Sequence, residues 1–282
     1  MPHSTIVNAL RREATFAANR ATGRIALSVA AANGHSRRAR VHEAGSLRVR
    51  FPNAESDAQL EAVMLNTAGG VAGGDRFDIE VSVGTGACLC LTSAAAEKVY
   101  RSLAPDAQIG VKLSVGPGAT LAWLPQETIL FDQARLRRTI DLDIAHGACA
   151  LLAEGIVFGR SAMGEAVARG HLFDRWRVRV DGELVFAETT RLGGAVARQL
   201  AETAVAAKGA AIATVLKLPG NDEAVAAVLA MQQSFAGEVG VSAWNGLALA
   251  RLVAPNAAAL RDDLLSVLTT WSAGKLPRLW LN

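Results

Sequence analysis

Alternating hydrophobic and polar residues recur through the middle of the chain and predict β-strands. In DRFDIEVSVG (75–84), every second residue is apolar and the residues between are charged or carry a hydroxyl. A period of two is the pattern of a strand with one buried face. The same alternation occurs in VKLSVG (111–116) and TIDLDIA (139–145). We therefore expect a protein built mainly from strands.

The second half of the chain adds hairpins and the first helical periodicity. HLFDRWRVRVDGELVFAETTRL (171–192) predicts a hairpin that turns at an Asp-Gly pair, and GVSAWNGLALARLVA (240–254) predicts a second pair of strands. Two segments, 221–235 and 255–274, carry apolar residues at helical spacing after a capping residue, and they predict two helices. The Ala-rich stretch 195–213 is compatible with either helix or strand.

Three segments of the chain resemble one another. Each is a strand, a glycine-containing corner, a Gly-Ala pair and a second apolar strand: VSVGTGACLCLTS (81–93), LSVGPGATLAWLP (113–125) and LDIAHGACALLAE (142–154). Repeated units of this size bury their apolar faces by stacking on each other. We predict a mainly β fold of stacked, solenoid-like sheets with strand–corner–strand repeats and about two α-helices toward the C-terminus. We assign residues 1–282 to a single domain, with 1–22 loosely ordered.

The likeness extends beyond the corner to three glutamates. LPQETILF (124–131) matches LLAEGIVF (151–158), with a weaker echo in EKVY (97–100), so Glu97, Glu127 and Glu154 could be equivalent positions. Adjacent strands lie about 4.8 Å apart, so the three carboxylates would then form a column able to attract a cation. The alternative is that each lies in solvent or pairs with a nearby cation. The cations in question are Lys98, Arg101 and Arg160.

NTAGGVAGGD (66–75) is the densest glycine cluster, and it could be a phosphate cradle or a tight bend. Its glycines, Gly69, Gly70, Gly73 and Gly74, fit neither the P-loop spacing, which requires a lysine, nor the dinucleotide fingerprint. A predicted strand follows the cluster, so no helix N-terminus is available to face a phosphate. We predict a structural bend between strands.

Composition narrows the classes of function. Lys and Arg number 29 against 26 Asp and Glu, the net charge is +3, and there is one Tyr, so nucleic-acid binding is not expected. No stretch approaches the roughly 20 apolar residues that span a bilayer, so no membrane association is expected. Three cysteines without a CxxC pair argue against a disulfide framework or a structural zinc site and favour the cytoplasm.

Catalytic signatures are sparse. No G-x-S-x-G nucleophile elbow occurs. A carboxylate pair of the glycosidase type remains open as an alternative, because β-solenoids host such sites, although few aromatic residues are present to bind sugar rings. The terminal KLPRLWLN (275–282) places Arg278 and Trp280 next to a predicted helix. This segment could dock on the protein's own core or contact a partner.

Taken in order, six motifs make the chain resemble the urease accessory protein UreD (UreH) family from about Gly23 to Trp280. They are NTAGGVAGGDRF (66–77), LTSAAAEKVYRS (91–102), LPQETILFD (124–132), GRSAMGE (159–165), DGELVFAE (181–188) and LPRLW (276–280). The resemblance implies a mainly β protein that is not an enzyme. It also implies a protein that binds apo-urease with the UreF and UreG accessory proteins and assists nickel delivery, with a passage through the UreD-like protein as a route.

The resemblance also indicates site residues. Acids in the matched motifs would be transient nickel ligands or would line the passage; they are Asp75, Glu97, Glu127, Glu154 and Glu165. Neighbouring groups would support them through ion pairs; these are Lys98, Tyr100, Arg101 and Arg160. Oxygen and nitrogen ligands suit Ni²⁺ in transit, because thiolates would hold it too firmly. No tightly bound cofactor is expected. The alternative function is a stand-alone β-solenoid enzyme acting on carbohydrate.

Overall fold

The structure, a computed structural model, describes residues 20–52, 59–103, 105–272 and 276–281. Most of the segment predicted to be loosely ordered, 1–22, lies outside these residues. The described residues form seventeen strands, three α-helices and three short 3-10 helices. The mainly β character predicted from alternation is confirmed.

Seven strands form the first sheet, which has the order β14-β13-β11-β8-β5-β1-β2. Its five middle strands are parallel, and a hairpin closes it at either side. In chain order the strands are β1 (Thr22–Ala32), β2 (His35–Gly45), β5 (Arg76–Val83), β8 (Ala107–Val115), β11 (Arg135–Ile144), β13 (Gly170–Val180) and β14 (Glu183–Gly194).

Ten strands form the second sheet. Eight follow the order β16-β17-β15-β12-β9-β6-β4-β3, and two short strands, β10 and β7, continue from the far end of β12. In chain order the strands are β3 (Leu47–Arg50), β4 (Leu60–Asn66), β6 (Cys88–Ser93), β7 (Glu97–Val99), β9 (Thr120–Leu124), β10 (Thr128–Leu130), β12 (Cys149–Phe158), β15 (Ala211–Leu218), β16 (Glu238–Trp244) and β17 (Leu247–Ala254).

The two sheets bury their apolar faces against each other. Alternation places the apolar residues of each strand on the inner face, and parallel register aligns them into rows across the sheet. One such row runs through Leu27, Val81, Leu113, Leu142 and Val178, all buried. Each fully buried aliphatic side chain contributes about 1.5–3 kcal/mol. These stacked rows form the main core.

The strand–corner–strand repeat is confirmed by the register of the second sheet. Cys88 pairs with Thr120, and Thr120 pairs with Cys149. These residues follow the three Gly-Ala pairs by one position, so the repeat spacing seen in the sequence is the spacing of the stacked units. Each unit starts in one sheet, turns at its corner and returns in the other. The sandwich therefore grows by one strand in each sheet per repeat.

The two longer helices cover the outer face of the second sheet, and the short first helix packs beside β14 of the first sheet. They are α1 (Val196–Ala201), α2 (Asp222–Leu229) and α3 (Ala257–Trp271). The two predicted helices correspond to α2 and α3, whose N-caps, Asn221 and Asn256, each accept a hydrogen bond from a backbone amide three residues on. The ambiguous stretch 195–213 divides into the short α1 and the start of β15. No helix in the described part of the chain is both long and apolar enough to cross a membrane.

Candidate functional site

A cavity of about 280 Å³ lies between the two sheets, beside the glycine cluster 66–75. Its walls are mainly apolar, with Ile79 and Val111 from the first sheet and Met64 from the second. Four charged residues interrupt this lining: Glu97, Lys98, Glu154 and Arg138. A pocket that is mostly apolar with a few polar groups is the usual form of a binding site.

Arg138 is the centre of a buried ionic network at the cavity wall. Its Nε and Nη2 donate to the two carboxylate oxygens of Asp174, at 2.9 and 2.7 Å. Its Nη1 donates to Glu154, which also accepts a hydrogen bond of 2.8 Å from Trp123 Nε1. Burial raises the pKa of Glu154, and the nearby charge of Arg138 opposes that rise. The network joins the two sheets through fully engaged groups.

Strand alternation explains why these charges point inward. In β11, Arg138 occupies an inward-facing position between those of Leu136 and Ile140. In β13, Asp174 likewise occupies an inward-facing position. Register pairs Arg138 directly with Asp174. The carboxylate therefore meets the guanidinium across neighbouring strands, as oppositely charged cross-strand pairs do.

Glu97 is the cavity carboxylate without an ion pair among the described residues. Both of its oxygens accept from the Asn66 side-chain amide, at 3.2 and 3.1 Å, and that amide also donates to Gly70 O. Burial raises the pKa of Glu97 to about 7, with the hydrogen bond from Asn66 opposing the rise. A carboxylate in this state changes charge near neutral pH and has oxygen lone pairs available for a cation.

The predicted column of three glutamates is wrong. Glu97 pairs in register with Thr128, and Thr128 pairs with Ile156, so Glu127 and Glu154 lie one and two residues away from the Glu97 row. Glu127, next to Thr128, faces the other side of the sheet. Only Glu97 and Glu154 share the cavity.

The error has a geometric cause. The residue row Leu91, Trp123 and Leu152 is in register across the three units. The number of residues that separate that row from the Glu97 row falls by one from each unit to the next along the chain. An ungapped match of letters hides this shortening, and a one-residue shift moves a side chain to the opposite face of a sheet.

Glu127 instead anchors the C-terminal segment. It forms a 3.0 Å ion pair with Arg261, whose other amino group donates to Leu279 O at 3.1 Å. Trp280 is 1% exposed and donates from Nε1 to Leu124 O at 2.9 Å. Of the two alternatives for this segment, Trp280 follows the first and docks on the protein's own core, while Arg278 is exposed.

Asp75 closes the turn formed by the glycine cluster. Its two oxygens accept from the backbone amides of Ala21 and Ala72, at 2.8 and 2.7 Å, and the side chain is buried. Gly70 has a φ of +145°, and a Cβ there would overlap the ring of Tyr100. A Cβ at Gly73 would overlap Ser102. The cluster is thus a bend between β4 and β5, as predicted, with Asp75 as its hydrogen-bonding centre.

The remaining predicted residues surround Phe131 on the surface. Arg160 pairs with Glu165 at 2.6 Å and stacks over the Phe131 ring at 4.0 Å. Tyr100 meets the same ring edge-on and donates to Gly69 O at 2.8 Å. The predicted pairing of Arg160 with an acid is present. Lys98 and Arg101 are exposed and form no ion pair with a described residue.

Metal-binding side chains do not cluster anywhere in the described ranges, the cavity included. No three His, Cys, Asp or Glu residues of those ranges lie in an arrangement that could hold a metal ion. Cys88, Cys90 and Cys149 are all free thiols. Burial raises the pKa of Cys90 far above its usual value, so this thiol stays protonated.

Comparison with known proteins identifies the family. The family described as UreD urease accessory protein matches residues 21–281. The chain belongs to the UreD family. The chain is 54% identical over 269 residues to a urease accessory protein UreD of Rhodopseudomonas palustris strain HaA2, covering 95% of this chain and 96% of that protein. It is 55% identical over 267 residues to one from Bradyrhizobium diazoefficiens, covering 95% and 96%.

Family membership makes this chain a urease accessory protein and gives no support to the alternative of a carbohydrate-active enzyme. Two charged residues of the candidate site, Arg138 and Asp174, were not predicted from the sequence. A signal for both was present: each is a charged residue in the apolar phase of an alternating strand. A charge at such a position requires a buried partner, and this requirement marks it as part of a network.

Proposed function

We propose that the chain is a non-enzymatic scaffold in the cytoplasm that binds apo-urease together with UreF-like and UreG-like proteins and assists nickel insertion into urease. Membership of the UreD family supports the link to urease maturation. The observation that carries the nickel role is the half-buried carboxylate of Glu97, which lines the cavity between the sheets and forms no ion pair with a described residue.

The chemistry of the cavity suits a divalent cation in transit. Glu97 offers carboxylate oxygens, and the Gly70 carbonyl, which accepts a hydrogen bond from the same Asn66 amide group, adds a weaker oxygen ligand. Nickel accepts oxygen and nitrogen ligands, and a small set of them permits fast release. The ion is cargo in this proposal, and Glu97 makes its transient contact.

The other acids have structural roles in the proposal. Glu154 is engaged by Arg138 and Trp123, Asp75 by two backbone amides, Glu127 by Arg261 and Glu165 by Arg160. A carboxylate already bound to a guanidinium must lose that partner before it can bind a metal. Asp174 and Glu154 together also outnumber the single cation Arg138, and their excess negative charge favours a cation nearby.

The scaffold role is tested by co-purification. The purified chain is mixed with apo-urease and the UreF-like and UreG-like proteins, and complexes are separated by size-exclusion chromatography. The proposal expects a stable complex and no hydrolysis of carbohydrate substrates by the chain alone. Failure to join any complex with these three proteins would contradict it.

A further inference from the structure

The outer face of the seven-stranded sheet carries a row of two arginines around one aromatic ring. Arg137 in β11, Phe173 in β13 and Arg191 in β14 are directly opposite one another in the register. The guanidinium carbon of Arg137 lies 4.2 Å from the centre of the Phe173 ring, and that of Arg191 lies 5.5 Å from it. Both distances are within the range of a cation–π contact, so the ring holds both guanidinium groups in place.

These two arginines lack carboxylate partners, whereas their neighbours have them. Arg137, Arg191 and the nearby Arg177 are exposed, and none forms an ion pair with a described residue. Three other arginines near this edge of the sheet are each paired with an aspartate. The pairs are Arg135 with Asp106 at 2.7 Å, Arg175 with Asp141 at 3.3 Å and Arg179 with Asp143 at 4.0 Å. The guanidinium groups of Arg137 and Arg191 therefore carry positive charge that no described carboxylate neutralises.

We propose that Arg137, Phe173 and Arg191 form a docking site for an acidic segment of a protein partner. A guanidinium group offers a planar fork of donors that binds a carboxylate through two hydrogen bonds. Stacking on Phe173 restricts both side chains before binding, so less conformational entropy is lost when a carboxylate arrives. Arginine and exposed aromatic side chains are also the residues enriched at protein interfaces.

Charge complementarity favours an acidic protein segment over a nucleic-acid backbone. Asp141 and Asp143 lie on the same face and on the same strand as Arg137, farther along β11 from the site. Because Arg175 and Arg179 pair with these aspartates, the face offers a continuous phosphate backbone only a broken row of unpaired cations, whereas single acidic side chains can reach the two arginines at Phe173. The flat surface of a sheet also suits a folded partner with a few protruding carboxylates.

The test compares two double variants that change the charge equally. The first, Arg137→Glu with Arg191→Glu, reverses the site. The second, Arg37→Glu with Arg40→Glu, changes two exposed arginines of β2 at the opposite edge of the same sheet, which also lack ion pairs with described residues. Neither pair lies in the cavity. Circular dichroism and thermal unfolding check that both variants fold.

The first readout is binding of apo-urease, the UreF-like protein and the UreG-like protein, each measured alone and together at low and high salt. The site variant should bind at least one of them about tenfold or more weakly, with a reduced dependence on salt, while the β2 variant stays near wild type. This readout rests on the proposed function. Equal binding of all three proteins by both variants would overturn the docking site and leave the scaffold role intact.

A second readout is independent of the urease proteins. Fluorescein-labelled octaglutamate and a labelled DNA duplex are titrated against wild type and both variants. Loss of octaglutamate binding in the site variant alone supports the site even if wild type binds none of the urease proteins, a result that would reject only the proposed function. Equal octaglutamate binding by both variants, or a loss confined to DNA, overturns the proposal.

Discussion

Arg138 of the seven-stranded sheet and Glu154 of the ten-stranded sheet form an ion pair across the interior, with side chains 4% and 5% exposed. Asp174 accepts two further hydrogen bonds from Arg138, and Trp123 donates one to Glu154, so both members of the pair have additional partners. Two layers that otherwise meet through apolar contacts are therefore also joined by charge at the wall of the cavity.

Removing the carboxylate of this pair should destabilise the fold strongly. Glu154→Ala removes the acceptor of two buried donors, Trp123 Nε1 and Arg138 Nη1, and leaving a buried donor without its partner costs about 1–3 kcal/mol for each donor. The free energy of unfolding in urea measures the loss. Glu80→Ala is the control, because the Arg24–Glu80 pair is exposed, and it should cost less than about 1 kcal/mol. Equal losses in the two variants would contradict the structural role of Glu154.

Glu97 should make stability depend on pH. Its pKa is about 7 in the folded protein against 4.5 for an ordinary glutamate, because burial disfavours the charged form. The folded state therefore keeps its proton longer than the unfolded state does, and stability is lost as the pH rises from about 4.5 through about 7. The full loss over this range is about 3 kcal/mol.

Glu97→Gln should remove this loss. Relative to wild type, the variant should gain about 2–3 kcal/mol in free energy of unfolding between pH 5 and pH 8, measured in urea at several pH values. Glu80→Gln, in an exposed position, serves as the control and should show little change. A constant difference between wild type and Glu97→Gln at all pH values would show that Glu97 titrates normally.

Trp280 should act as a part of the core. Trp280→Ala removes a buried indole and its hydrogen bond to Leu124, and such truncations cost about 3–5 kcal/mol. Leu281→Ala is the neighbouring control, since Leu281 is 63% exposed, and it should leave stability almost unchanged. Thermal and urea unfolding give both values. A stable Trp280→Ala protein would indicate that the indole serves another purpose.

The sequence predicted the fold better than the site. The stacked sheets could be predicted from the alternating residues and the Gly-Ala repeat, because these patterns reflect the two-residue period of each strand and the geometry of each corner. The three-glutamate column failed because register depends on how many residues each connection contains, and this cannot be seen in matching letters such as Glu127 and Glu154. The Arg138–Asp174 pair joins residues far apart in sequence, and only the register in which β11 pairs with β13 shows which acid meets the arginine.

The most direct test of the account is nickel-dependent activation of urease with Glu97→Gln. Apo-urease, the UreF-like and UreG-like proteins and either wild type or variant are assembled, supplied with Ni²⁺, and assayed for bound nickel and urease activity. With Glu80→Gln behaving as wild type, Glu97→Gln should still assemble but deliver nickel about tenfold or more slowly, since its amide lacks the anionic oxygen. Activation by Glu97→Gln at the wild-type rate, in an intact complex, would contradict the account.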